Sequence, residues 1–172
     1  IIKAVGEKTP LETERWKDHP DPNLPFVRYT ITLGSEGKTT SFYLDVLFKE
    51  PGYPTQQTQL HTKYFDSQTK ARTPTLHSLI GDKLTTLGPK TVGRKLDDKS
   101  HAVEYLKHAY DISQLLPLAA NTAEVYRAYR IVVGDQRLFR PQVHITLENS
   151  LEDLLDVARW LTMTAQNPSE IK

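Results

Sequence analysis

The chain has 172 residues, 38% apolar and 25% charged, which is the balance of a folded water-facing chain and excludes disorder as its default state. Its 22 basic side chains against 21 acidic ones leave a formal charge of +1, so no global field pulls it toward nucleic acid and any such binding must come from local clusters. The lack of cysteine excludes a disulfide framework and thiolate chemistry and agrees with a cytoplasmic setting, and no run approaches the roughly 18 apolar residues of a membrane span.

In chain order, residues 1–26 are rich in proline and charge and read as irregular, with one short helix around Glu12 to Lys17. The next stretch, "FVRYTITLGSEGKTTSFYLDVLFKEP", is a strand, a Gly-Ser-Glu-Gly turn and a second strand, the clearest β-hairpin in the sequence. A polar connector, Pro54 to Gln59, and a short strand at Leu60 to Phe65 follow. From Pro74 onward the pattern is helical, with helices expected near 75–87, 100–116, 121–133 and 150–165. Asn149 or Ser150 is expected to cap the last of these, with Asp153 completing a capping box. Strands first and helices after predict an α+β fold, a strand-bearing part over 1–72 and a helical part over 73–172.

One residue breaks the helical pattern. In "TPTLHSLIGDKLTTLGP" a hydroxyl cap beside proline opens a helix and Gly-Pro closes it. Leu76, Leu79, Ile80, Leu84 and Leu87 form its apolar stripe, but the position seven residues after Leu76 is Lys83. Burying an unpaired ammonium is costly. Either the stem of Lys83 packs while its amine reaches water or Asp82, or the stripe faces a cleft where the amine meets phosphate. On the next helix Asp111 projects away from the apolar set Ala102, Tyr105, Leu106, Ala109, Ile112 and Leu116, one turn after Lys107. Asp45 in "FYLDVLF" points to the sheet face opposite Phe42, Leu44, Val46 and Phe48, either exposed or lining a site.

Other chemistries find no pattern. His61, His77, His101, His108 and His144 lack the paired helical spacing of a zinc site, no nucleophile elbow surrounds Ser78, and "GSEG" precedes a strand where a phosphate cradle must open onto a helix. Arg127, Arg130, Arg137 and Arg140 interleave with Tyr126, Tyr129 and Phe139, a combination suited to RNA or to a solvated helix face.

Taken in order, the hairpin with "LDV", the "TPTLHSLIGDKLTTL" helix, the basic loop "GPKTVGRKLDDK" and the helix ending "KHAYDISQLL" resemble the AbiEii/MenT group of nucleotidyltransferases, toxins of type IV toxin–antitoxin pairs. The likeness covers about Val27 to Leu116 and rests on order and spacing. It implies a nucleotidyltransferase-like fold and transfer of NMP from an NTP to an acceptor such as RNA or tRNA, with Mg²⁺ as cofactor and an antitoxin as possible partner. It implies that Lys83 and Asp111 are catalytic, that Arg94 and Lys107 bind nucleotide or RNA, and that Asp45 is a metal ligand, while Arg127 and Arg130 are candidate RNA-binding residues from their interleaving with aromatic rings alone. The family's Gly-Ser turn onto a helix and its Asp-x-Asp are not found in this chain, and Lys107-His108 stands where the family commonly has Arg-Asp or Lys-Asp. With Ile1 rather than Met at the start, two expectations follow: a piece of a longer enzyme, or a non-catalytic RNA- or protein-binding remnant of the fold.

Overall fold

A computed structural model describes residues 11–15, 25–35, 38–63, 66–96 and 99–166. The contacts divide the chain into two compact units, Ile1–Glu50 and Pro51–Lys172.

In the first unit, β1 (Leu11–Arg15), β2 (Phe26–Ser35) and β3 (Lys38–Leu47) form an antiparallel sheet in that order. The expected hairpin is present, with Glu36 and Gly37 of its turn outside the described residues. Period-two alternation gives the sheet two unlike faces. Val27 pairs with Val46, Tyr29 with Leu44 and Ile31 with Phe42 on one face, while Arg28 pairs with Asp45, Thr30 with Tyr43 and Thr32 with Ser41 on the other. The helix expected around Glu12 to Lys17 is instead strand over Leu11–Arg15, and Trp16 and Lys17 lie outside the described residues. Pairing with β2 overrides the helical bias of the glutamates, because Leu11, Thr13 and Arg15 alternate with them at the strand period.

In the second unit, β4 (Thr55–His61) and β5 (Asp66–Pro74) form a separate two-stranded hairpin. The expected polar connector over Pro54 to Gln59 is thus mostly strand, and the strand expected at Leu60 to Phe65 is only the end of β4, with Tyr64 and Phe65 outside the described residues. This hairpin is held by polar side chains, among them Thr58 Oγ1 and Thr73 Oγ1 at 2.7 Å and Arg72 Nε donating to Thr55 Oγ1 at 2.9 Å. With little apolar alternation, its sequence lacks the signal by which a half-buried strand is recognised.

Four helices follow: α1 (Leu76–Thr85), α2 (Lys99–Leu115), α3 (Thr122–Phe139) and α4 (Leu147–Gln166), with a 3₁₀ turn at Leu116–Leu118. Thr75 caps α1 by accepting from Ser78 N, and Asn121 caps α3 by accepting from Ala123 N and Glu124 N. Helix α4 starts earlier than expected. Thr146 N donates to Asn149 Oδ1 at 2.8 Å and Asn149 N to Thr146 Oγ1 at 3.1 Å, so the reciprocal cap forms before Leu147 and Ser150 lies inside the helix, fully buried. None of these helices is long and apolar enough to cross a membrane.

Two apolar clusters form the core of this unit. Leu87, Tyr105, Ile112 and Val157 make one, Val92, Tyr129, Val133 and Ile145 the other, and Leu84 and Leu154 pack against both. Helix α1 crosses α3 at Gly81, where a Cβ would lie 2.5 Å from Val125 O, 2.7 Å from Ala128 Cβ and 2.8 Å from Tyr129 N. Gly134, on the same helix α3, has nothing within 4 Å of such an atom.

These two glycines predict opposite outcomes. Gly81→Ala should lower the unfolding free energy by about 1–3 kcal/mol, since backbone atoms of α3 must give way. Gly134→Ala should raise it by roughly 0.5–1 kcal/mol through helix propensity alone. Urea unfolding of both variants measures the signs.

Candidate functional site

Lys83 is not sealed in the core. From α1 its Nζ donates to Asp111 Oδ2 on α2 at 2.8 Å, with both side chains about one-third exposed. The amine therefore turns toward Asp111 rather than Asp82. The pair holds Asp111 below the ordinary carboxylate range, chiefly through the hydrogen bond from Lys83.

Around that pair, helix periodicity collects further charge. Glu104, Lys107 and His108 lie within two turns of Asp111 on one side of α2. Glu104 forms an ion pair with Arg94, which draws the basic loop onto the same helix. Four residues expected at the site, Lys83, Arg94, Lys107 and Asp111, thus share one flank of α2. His108 Nδ1 is buried with no hydrogen-bond partner among the described residues. Burial lowers the His108 pKa, Lys83 and Lys107 lower it further, and Asp111 and Glu104 oppose them.

On the other side of Lys83, Asp82 accepts from Tyr53 Oη at 3.4 Å. Burial raises the Asp82 pKa, the nearby Asp135 adds to that, and Tyr53 and Lys83 pull the other way. Tyr53 is pushed up to about 12, first by burial and then by Asp82. Lys83 is therefore flanked by two carboxyls whose surroundings drive them in opposite directions, an arrangement common where protonation states are set for chemistry.

The loop after α1 is held rigidly. Gly88 O accepts from Thr91 N at 3.1 Å and from Gly93 N at 2.7 Å, and a Cβ on Gly93 would lie 2.5 Å from Thr86 O. Arg140 Nη1 donates to Val92 O at 3.2 Å and Gly93 O at 3.3 Å. From α4, Asp153 Oδ2 accepts from Lys90 N and Thr91 Oγ1, each at 2.8 Å. Asp153 is buried, and its Oδ1 has no partner among the described residues. The expected capping role of Asp153 is replaced by this anchoring. Its sequence signal was a carboxylate on the buried stripe of α4, between Ser150 and Val157.

The remaining expected residues lie elsewhere. Arg127 and Arg130 are exposed on the side of α3 away from Val125, Ala128, Tyr129 and Val132, so they do not join the Lys83 cluster, which lies where α1 and α2 meet. Asp45 belongs to the first unit, where Arg28 grips it with Nε to Oδ1 at 2.6 Å and Nη2 to Oδ2 at 2.8 Å. The Arg28 guanidinium also sits 5.0 Å from the Tyr43 ring centroid and lowers the Asp45 pKa. A cation at Asp45 must displace that guanidinium, and among the described residues no group of three or more His, Asp or Glu assembles that could hold a metal. Around Asp45 the described residues thus offer a cation no set of ligands beyond that one engaged carboxylate.

A family model described as "Nucleotidyl transferase AbiEii toxin, Type IV TA system" matches residues 2–170. No curated protein and no solved structure matches the chain.

The Lys83–Asp111 pair predicts a pH dependence. Because the folded Asp111 carboxyl is held below its unfolded value, the pair's stabilisation is fully present above the ordinary carboxylate range near about pH 4 and is lost as pH falls through the lower folded value. Carboxyl-carbon NMR titration should find Asp111 titrating below that range in the wild type and shifting upward in Lys83→Met.

Proposed function

The chain belongs to the AbiEii nucleotidyltransferase toxin family, and on that premise we infer that it transfers NMP from an NTP to an RNA acceptor, with Lys83 as the phosphate-binding catalytic residue. The observation that carries this reading is the Lys83–Asp111 contact, a part-buried lysine held in place by a carboxylate across two helices. An ammonium has three donors, so one bond to Asp111 leaves two for phosphate oxygens. In the transfer an acceptor hydroxyl oxygen attacks the α-phosphorus, the bond to the bridging oxygen of pyrophosphate breaks, and the hydroxyl proton passes to water. Lys83 stabilises the charge on the phosphoryl oxygens, and Asp111 fixes the position of the amine. Mg²⁺ would come with the triphosphate as part of the substrate.

RNA as acceptor is supported by the outer side of α3. Arg127, Arg130 and Arg137 fall within about a quarter turn of one another by helical periodicity and are exposed, as is Tyr126. Arg137 borders a cleft with Gln142, His144 and Thr146. Unlike Arg94 and Arg140, these arginines face solvent, where guanidinium groups beside an aromatic ring suit phosphates and unstacked bases. The family description also makes an antitoxin the natural protein partner. A non-catalytic RNA- or protein-binding role is favoured by one observation, the engagement of Asp45 by Arg28.

Labelled NTPs and bulk RNA separate the two readings. The wild type should label RNA, and Lys83→Ala should abolish labelling while moving the thermal midpoint little, because ion pairs that water still reaches contribute little to stability. Leu84→Ala should cost about 2–5 kcal/mol of stability, since Leu84 packs against both core clusters, with labelling per folded molecule retained. No labelling by the wild type with any NTP would favour the non-catalytic role.

A further inference from the structure

We propose that His108 is a neutral hydrogen-bond donor, fixed with its proton on Nε2, that binds a phosphate oxygen of the nucleotide held at the Lys83–Asp111 pair. The ligand in this statement rests on the function inferred above, whereas the tautomer rests on the structure alone.

His108 lies one turn before Asp111 on α2, so both project from the same side of the helix. Its Nδ1 is buried and has no hydrogen-bond partner among the described residues. A proton there would be a buried donor without an acceptor, and orphaned buried N–H groups are rare. The neutral ring therefore carries its proton on Nε2. Nδ1 is the ring nitrogen buried without a partner among the described residues, so Nε2–H is the donor assigned to the ligand.

The doubly protonated ring is disfavoured for the same reason, because it too needs a proton on Nδ1. Charges around the ring agree. Lys83 from α1 and Lys107 from α2 oppose a further positive charge, Asp111 and Glu104 from α2 favour it, and burial tips the balance toward the neutral form.

The two helices then offer a phosphate complementary contacts. Lys83 supplies charge from a flexible stem. His108 supplies direction from a ring whose Nδ1 edge is buried. A neutral donor also avoids placing another cation beside Lys83 and Lys107, which would repel both before any nucleotide arrived.

Two experiments test this. Long-range ¹H–¹⁵N NMR of the full chain should show His108 as the Nε2–H tautomer at pH 7. An Nδ1–H tautomer or an imidazolium would overturn the proposal whether or not the protein is an enzyme. Equilibrium binding of a non-hydrolysable ATP or GTP analogue supplies the second readout. His108→Phe keeps ring bulk without the donor and should weaken binding roughly tenfold, the loss of one hydrogen bond. His108→Gln, whose amide nitrogen can stand near Nε2, should recover most of that loss. Wild-type affinity in His108→Phe, or loss in both variants in step with a lowered thermal midpoint, would overturn the proposal. If the wild type binds neither analogue, the inferred function fails and the phosphate contact fails with it, while the NMR result still decides the tautomer.

Discussion

The second unit depends on one absent side chain. At Gly81 the backbones of α1 and α3 approach so closely that a single added carbon would meet a carbonyl oxygen, a methyl group and an amide nitrogen of α3. Close-packed interiors tolerate little such overlap, so α1 is fixed in depth and rotation against α3. Its next three residues then point in three directions, because each helical step turns about 100°. Asp82 faces Tyr53 and the side of Asp135, Lys83 reaches α2, and Leu84 enters the core between both apolar clusters. A charged residue and a core residue can sit side by side in sequence because the crossing has already settled which way each points.

The sequence carried this part of the architecture openly. Lys83 interrupts an otherwise continuous stripe, and that irregularity marks the contact with Asp111. The same signal was present at Asp153, on the buried side of α4, but Ser150 three residues earlier imitates a capping box and hides it. The β2–β3 hairpin was legible from alternation, as was the α+β class. The β4–β5 hairpin was not, since threonine and glutamine hydroxyls and amides join its strands and no period-two apolar face exists to reveal them. Strand β1 was hidden for another reason, that its conformation is set by its partner β2. His108 could not be singled out from sequence, because an unpaired ring nitrogen is a property of surroundings rather than of spacing.

Counting arginines would have misjudged the basic surface. Arg94 is engaged by Glu104, Arg140 by two backbone carbonyls, Arg28 by Asp45 and Arg72 by Thr55, so these guanidinium groups serve the fold. Those of α3's outer side face water instead. The division matters for electrostatics, since a paired guanidinium projects little field, while exposed ones act over about a Debye length. Exposed guanidinium charge thus gathers along the outer side of α3, even though the whole chain is nearly neutral.

Asp153 joins positions far apart in sequence, and this sets an order of events during synthesis. The loop from Gly88 to Gly93 waits for Arg140 and then for Asp153, more than sixty residues beyond Lys90, before its backbone is anchored. Contacts of such separation form late, after the cost of closing a long loop has been met. A growing chain that has emitted α1 and α2 but not α4 holds Lys83 near an unanchored loop. Anchoring of the Gly88–Gly93 loop is therefore postponed until α4 has been made, although the Lys83–Asp111 contact needs only α1 and α2.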